Sequence, residues 1–154
     1  MLVSDITKTF SFEAAHFLYG HSGACRNIHG HSYKGEVTLV NLGIDEDTGI
    51  AFDFSTLSEI IRKVVITYYD HSLLINERAF KDKITLENFL LILSTLGIDK
   101  QSVKVLPYNP TAENMAMDIA FRIKEVVRCI FGNDYTKVKV KLYETAKSYV
   151  QVFK

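Results

Sequence analysis

Ile6-Thr7-Lys8-Thr9-Phe10-Ser11-Phe12-Glu13 is the stretch on which the fold turns. Ile6, Phe10 and Phe12 share one parity, interrupted only by Lys8, and Thr7, Thr9, Ser11 and Glu13 take the other. Successive side chains of a strand point to opposite faces, so this period-two pattern of β-branched and aromatic residues predicts a strand. Alternation returns from about His29 to Leu42, where Val37 and Leu39 stand against Glu36, Thr38 and Val40. A loop with Gly20, Ser22 and Gly23 lies between, so the two strands can fold back as a hairpin. Asn41 to Gly49, rich in Gly, Asp and Asn, turns the chain again.

Helical spacing follows. Asp53 or Ser55 can cap a helix whose apolar positions are Leu57, Ile60, Ile61, Val64 and Tyr68, ending near Tyr69. Leu86 to Leu96 reads as a short, very apolar helix. Pro110-Thr111 opens another, with Glu113 in the first turn where the macrodipole favours an acid. Ala116, Ile119, Ala120, Ile123 and Val127 line its apolar face, and Gly132-Asn133-Asp134 stops it. Val138, Val140 and Leu142 then alternate with Lys137, Lys139 and Lys141, and Tyr149 to Phe153 supplies a last strand. Strands at both ends with helices between predict an α+β fold, one antiparallel sheet with its helices on one face.

The chain has 154 residues, the common size of one domain, and can bury a full core without staples. Its formal net charge is zero, which argues against a general nucleic-acid or membrane-surface binder. Cys25 and Cys129 make no disulfide framework. Met1 to Phe10 carries Asp5 and Lys8 and lacks the apolar core of a secretory signal. The longest uncharged apolar stretch, Asn88 to Ile98, is too short to span a bilayer. A cytoplasmic protein with two free thiols is the expectation.

The chemistry-bearing residues cluster near the first two strands. His29-Gly30-His31 places two imidazoles on one face of a strand, and a hairpin brings His16, at the end of the first strand, beside them. Three neutral imidazoles around one point suit zinc, copper, iron or nickel. Three protein ligands with an open fourth position is the catalytic zinc pattern. A lone His-x-His is as often coincidence; His16 raises the odds. Cys25 precedes His29 by one short loop and has three readings: a fourth ligand, a thiolate favoured by nearby metal charge, or an inert buried thiol. Cys129, on the helix from Pro110, fits the inert reading. Asp70-His71 at a helix end can form a proton-transfer pair, and Glu144 at a strand end can pair with a cationic or amidine-like ligand edge.

Taken together these stretches resemble the 6-pyruvoyl-tetrahydropterin synthase / 6-carboxytetrahydropterin synthase family. Phe12-Glu13-Ala14-Ala15-His16 with Cys25-Arg26-Asn27-Ile28-His29-Gly30-His31-Ser32-Tyr33 is similar to its zinc-binding signature. Phe52 to Leu57 resembles the start of its first helix, and Tyr69-Asp70-His71 its catalytic pair. Pro110-Thr111-Ala112-Glu113-Asn114 resembles the opening of its second main helix, and Tyr143-Glu144-Thr145 its pterin-anchoring strand. The resemblance runs in family order from residue 10 to 146, nearly the whole chain.

It implies a tunnelling fold over 1–154: a four-stranded antiparallel sheet, two main helices on one face, and subunits closed into a ring, a hexamer with sites at subunit contacts. It implies 7,8-dihydroneopterin triphosphate as substrate and Zn2+ as cofactor, held by His16, His29 and His31. Cys25 would be the base, His71 oriented by Asp70 would relay protons, and Glu144, with Thr111 and Glu113, would bind substrate. Arg26, Asn27 and Ile28 separate Cys25 from His29, the short spacer of the 6-carboxy branch of queuosine biosynthesis, whose lyase reaction releases acetaldehyde and triphosphate. The 6-pyruvoyl reaction, side-chain cleavage of dihydroneopterin and a non-catalytic zinc- or pterin-binding module are the alternatives. Positions 72 to 110 separate His71 from Thr111, more than in compact members. The extra piece, around 76–107, would cover the site, extend a subunit contact or pad the fold.

Overall fold

The computed structural model describes residues 2–132 and 137–154. Strand β1 (Val3–His16) and strand β2 (His29–Gly43) pair antiparallel from Val3↔Gly43 to His16↔His29, as the alternation predicts, with a register shift between Ser4 and Ile6. Helix α1 (Phe54–Ile61) starts at Asp53, whose carboxylate accepts from the Ser55 and Thr56 N–H groups. It runs on through a π-helical segment, Arg62–Ile66, into a last turn, α2 (Thr67–Tyr69). Then come β3 (Ser72–Asn76), α3 (Lys83–Thr95) and β4 (Val103–Leu106). Helix α4 (Ala112–Phe131) is capped by Thr111 and ends at Gly132, whose left-handed φ of 65° suits a residue without Cβ. Asn133 and Asp134, expected to share in that stop, lie outside the described residues. Strands β5 (Lys137–Thr145) and β6 (Ser148–Phe153) close the chain.

The sheet corrects the four-stranded antiparallel expectation. It has six strands in the order β4-β3-β1-β2-β5-β6. The run β1-β2-β5-β6 is antiparallel, but β3 pairs parallel to β1 and β4 parallel to β3, so the sheet is mixed. The two extra strands escape a period-two search for a physical reason. Ser72, Leu74, Ile75 and Asn76 are all buried, so β3 has no solvent side to alternate with, and β4 is only four residues long.

Helices α1 and α4 pack on the sheet. Leu57, Ile61, Met115, Ile119 and Ile123 meet Val37, Leu39, Val138, Val140 and Leu142 in one core. Burial of each such side chain contributes about 1.5–3 kcal/mol. After Ile61 the buried face passes to Val65 and Tyr69, where helical spacing predicted Val64 and Tyr68. The π segment explains the one-residue slip: the Thr67 N–H reaches back five residues to the Arg62 carbonyl, and the wider turn rotates the following side chains. Tyr69 then stacks on Phe12 at 5.3 Å, and Phe12 on Tyr33 at 5.0 Å. This aromatic column leads to the histidines. By contrast α3, predicted as an apolar helix, buries none of its residues. No helix among the described residues is long and apolar enough to cross a membrane.

Candidate functional site

The His16↔His29 register pair ends the β1–β2 ladder, and Ala14↔His31 lies two residues in. Side chains directly opposite or two residues apart share a face, so the three imidazoles converge as the spacing predicts. Their candidate ligand atoms lie within 4.8 Å of one another. Two of the rings have their tautomer set by backbone. His16 Nδ1–H donates to the Pro110 carbonyl at 2.7 Å, and His29 Nδ1–H to the Asn27 carbonyl at 2.8 Å. Carbonyls only accept, so each Nε2 keeps its lone pair for a metal. His31 Nε2 is buried and has no hydrogen-bond partner. A buried polar atom without a partner is costly, and a metal removes that cost. The donor set and the orphaned nitrogen therefore fit zinc.

Burial reinforces the neutral state. His16 is almost fully enclosed, and desolvation, offset in part by the Pro110 bond, holds its pKa below the ordinary value. Glu144, on the same face of β5, sets Oε1 3.8 Å from both His16 Nε2 and His31 Nε2. That distance is too long for a hydrogen bond, so the carboxylate stands beside the cluster without bonding to it, and among the described residues it accepts no hydrogen bond. Buried Tyr33 packs edge-on to His16 and His31, its phenol pushed to a higher pKa by burial and by the Glu144 charge.

A 1020 Å³ cavity holds Glu144 together with His31, Phe10, Lys34 and Tyr143. A second, of 470 Å³, holds His71, Glu13 and Ser102. Gly30, His31 and Ser32 line both. Asp70-His71 is built on this second side. The His71 N–H donates to the Glu13 carbonyl at 2.7 Å, the Glu13 N–H donates to Asp70 Oδ1 at 2.9 Å, and His71 Nδ1–H donates to Asp70 Oδ2 at 2.8 Å. The Glu13 amide and the imidazole hold the Asp70 carboxyl below its usual pKa. His71 sits at φ 55°, a left-handed backbone uncommon for a residue with Cβ and a conformation that clusters at functional sites. With Nδ1–H committed to Asp70, its Nε2 is free to take a proton, and the side chain is 81% exposed.

Cys25 is half-exposed in the single 3-10 turn Ala24–Arg26 between β1 and β2, as expected for an accessible thiol. Among the described residues no hydrogen bond or ion pair joins Asp70-His71 to Cys25 or to the three histidines. Cys129 corrects an expectation: it is exposed on the outer face of α4, where burial was predicted. Thr111 and Glu113 do not join Glu144 within this chain. Thr111 caps α4 by accepting from the Asn114 N–H, Glu113 is exposed, and neither lines the two cavities. The carbonyls of Pro110 and Asn27, which orient two of the imidazoles, left no trace in the sequence because any residue type carries one.

The sequence matches the family described as 6-pyruvoyl tetrahydropterin synthase over residues 5–154. The chain belongs to that family. A curated 6-carboxy-5,6,7,8-tetrahydropterin synthase of Haemophilus influenzae is 32% identical over 153 residues, covering 95% of this chain and 96% of that one. One from Rickettsia bellii is 32% identical over 147 residues, with 95% and 97% covered. The fold of a Plasmodium vivax 6-pyruvoyltetrahydropterin synthase superposes with a TM-score of 0.74 at 19% identity over 100% of this chain and 99% of that one. These relatives make the protein an enzyme of the tetrahydropterin synthase family. Its histidine cluster sits at the hairpin end, where the strand spacing predicted the three imidazoles would meet.

Proposed function

We propose that the protein converts 7,8-dihydroneopterin triphosphate and water into 6-carboxy-5,6,7,8-tetrahydropterin, acetaldehyde and triphosphate. The observation that carries this reading is the three-histidine cluster with Glu144 Oε1 3.8 Å from two of its Nε2 atoms, His31 and Glu144 both lining a cavity of 1020 Å³. The 6-carboxy product follows the printed names of the two relatives at 32% identity and the short spacer from Cys25 to His29.

His16, His29 and His31 would hold zinc. A zinc ion carried by neutral ligands keeps its full charge and acts as a Lewis acid on the hydroxylated side chain of the substrate. Glu144 accepts hydrogen bonds from the amino-pyrimidinone edge of the pterin, which fixes the ring and aims its side chain at the cluster. Cys25 takes a proton from the side-chain carbon as the base. His71, its Nδ1–H fixed by Asp70, passes protons through Nε2. Because His71 is 81% exposed and unlinked to the cluster within one chain, the working site forms where a second subunit covers it. The open edges at β4 and β6 are the surfaces that such an assembly, a homo-hexamer, would pair.

The test is trapping of acetaldehyde during turnover of dihydroneopterin triphosphate. Stoichiometric acetaldehyde and triphosphate are expected. Triphosphate without acetaldehyde would replace the carboxy product with 6-pyruvoyl-tetrahydropterin.

A further inference from the structure

Cys25 has little local structure to hold it. The turn Ala24–Arg26 buries none of its residues, and its local ties are two backbone bonds, Arg26 N–H to the Gly23 carbonyl at 3.2 Å and Asn27 N–H to the Ala24 carbonyl at 3.0 Å, with no side-chain cap. A base acting at a defined carbon needs a fixed position, and the fixing comes from a segment far along the chain. The Asn109 side-chain amide pairs with the Tyr19 peptide in both directions. The Tyr19 N–H donates to Asn109 Oδ1 at 2.9 Å, and Asn109 Nδ2–H donates to the Tyr19 carbonyl at 2.9 Å. One side chain thus does for this loop what a neighbouring strand does for a strand. The adjoining Leu18 N–H donates to the Cys25 carbonyl at 2.8 Å, so the hold on Tyr19 is passed directly to the cysteine turn.

Asn109 is itself fixed. Buried Asn76, at the end of β3, donates from Nδ2 to Asn109 Oδ1 at 3.1 Å. The Asn109 carbonyl accepts from Asn114 Nδ2–H at 2.9 Å, on the first turn of α4. The next residue, Pro110, gives its carbonyl to His16. One short segment therefore orients a metal ligand and clasps the loop that bears Cys25, setting the two in a common frame.

We infer that Asn109, backed by Asn76, is a positioning residue that holds the Cys25 loop against the histidine cluster. This rests on the reading of Cys25 as the base. Asn109→Ala removes both bonds to Tyr19. Asn109→Asp keeps the acceptor for the Tyr19 N–H and removes the donor.

The experiment compares both variants, Asn76→Ala and wild type in three measurements. These are kinetics with dihydroneopterin triphosphate, zinc content, and iodoacetamide labelling of Cys25 and Cys129 followed by peptide mass spectrometry. Misplacing a reacting group by about 1 Å costs on the order of 100-fold, so Asn109→Ala is expected to lose roughly 10- to 100-fold in kcat. KM should hold, because the pterin grip lies elsewhere. Zinc should stay full, Cys25 should label several-fold faster, and Cys129 should label at its wild-type rate. Asn109→Asp should fall between wild type and Asn109→Ala. Unchanged kcat with unchanged Cys25 labelling overturns the inference. So does equal acceleration at Cys129 or loss of zinc, either of which signals general loosening. If Asn109→Ala does not fold, Asn76→Ala, which removes the Nδ2–H bond to Asn109 along with the Oδ1 acceptor of the Arg78 N–H, carries the same test. The labelling needs no turnover, so it reads the clasp even if Cys25→Ala proves fully active and the base reading falls.

Discussion

Gly35→Ala adds one methyl to β2 and tests the wall of the cavity that holds Glu144. Gly35 pairs with Phe10 across the hairpin, and a Cβ at Gly35 would lie 2.1 Å from Phe10 Cζ and 2.5 Å from Cε1. Carbon contacts begin near 3.5 Å, so the ring must retreat by roughly 1.4 Å. Inward, the ring faces Phe12, stacked at 6.2 Å and 8°, which is held in turn by Tyr33 and Tyr69. Phe10 also lines the cavity with Glu144. Overpacking of this kind costs about 1–3 kcal/mol. Alanine in place of glycine at a position without positive φ returns about 0.4–1 kcal/mol through the unfolded chain. The clash wins, and the net loss of about 1–2 kcal/mol lowers Tm by roughly 2–8 °C in a chain of this size. In a Phe10→Ala background the clash is gone, so the same substitution should stabilise by about 0.4–1 kcal/mol. Calorimetry on the four proteins of this cycle reads the sign directly, and pterin titration should show weaker binding for Gly35→Ala alone. The same sign in both backgrounds would refute the packing of the ring on Gly35.

Three further outcomes are expected. Elemental analysis should find that His29→Ala loses most of its zinc and Cys25→Ala keeps it; metal loss from the cysteine variant would make Cys25 a ligand. Glu144→Gln should weaken pterin binding by about 1.5–3 kcal/mol, the worth of a charge-assisted hydrogen bond, and an unchanged affinity by titration removes that role. Asp70 has a folded pKa below its unfolded value, so its stabilisation is present above about pH 4 and is lost as pH falls through the folded value. Urea melts at pH 5 and pH 3 should show a smaller drop for Asp70→Asn than for wild type, and equal drops contradict the assigned Glu13 and His71 bonds.

The parts of this molecule legible in its sequence are those with a solvent side. β1, β2 and β5 alternate because one face is wet, and His16, His29 and His31 declare a shared face because strand parity is a local property. β3 is dry on both faces and β4 is short, so the parallel half of the sheet carries no such signature. The π segment is silent for a different reason: a five-residue turn and a four-residue turn use the same residue types, and only Val65 and Tyr69 falling inward reveals it. The candidate site divides along the same line. Its side chains were nameable, but what aims them is largely backbone: the carbonyls of Pro110 and Asn27 on two imidazoles, and the Glu13 peptide on both Asp70 and His71. Three of those contacts bridge residues far apart in the chain, which composition and spacing do not encode. A substitution at residue 110 or 13 can therefore disturb the site through the path of the backbone while every nameable residue stays in place.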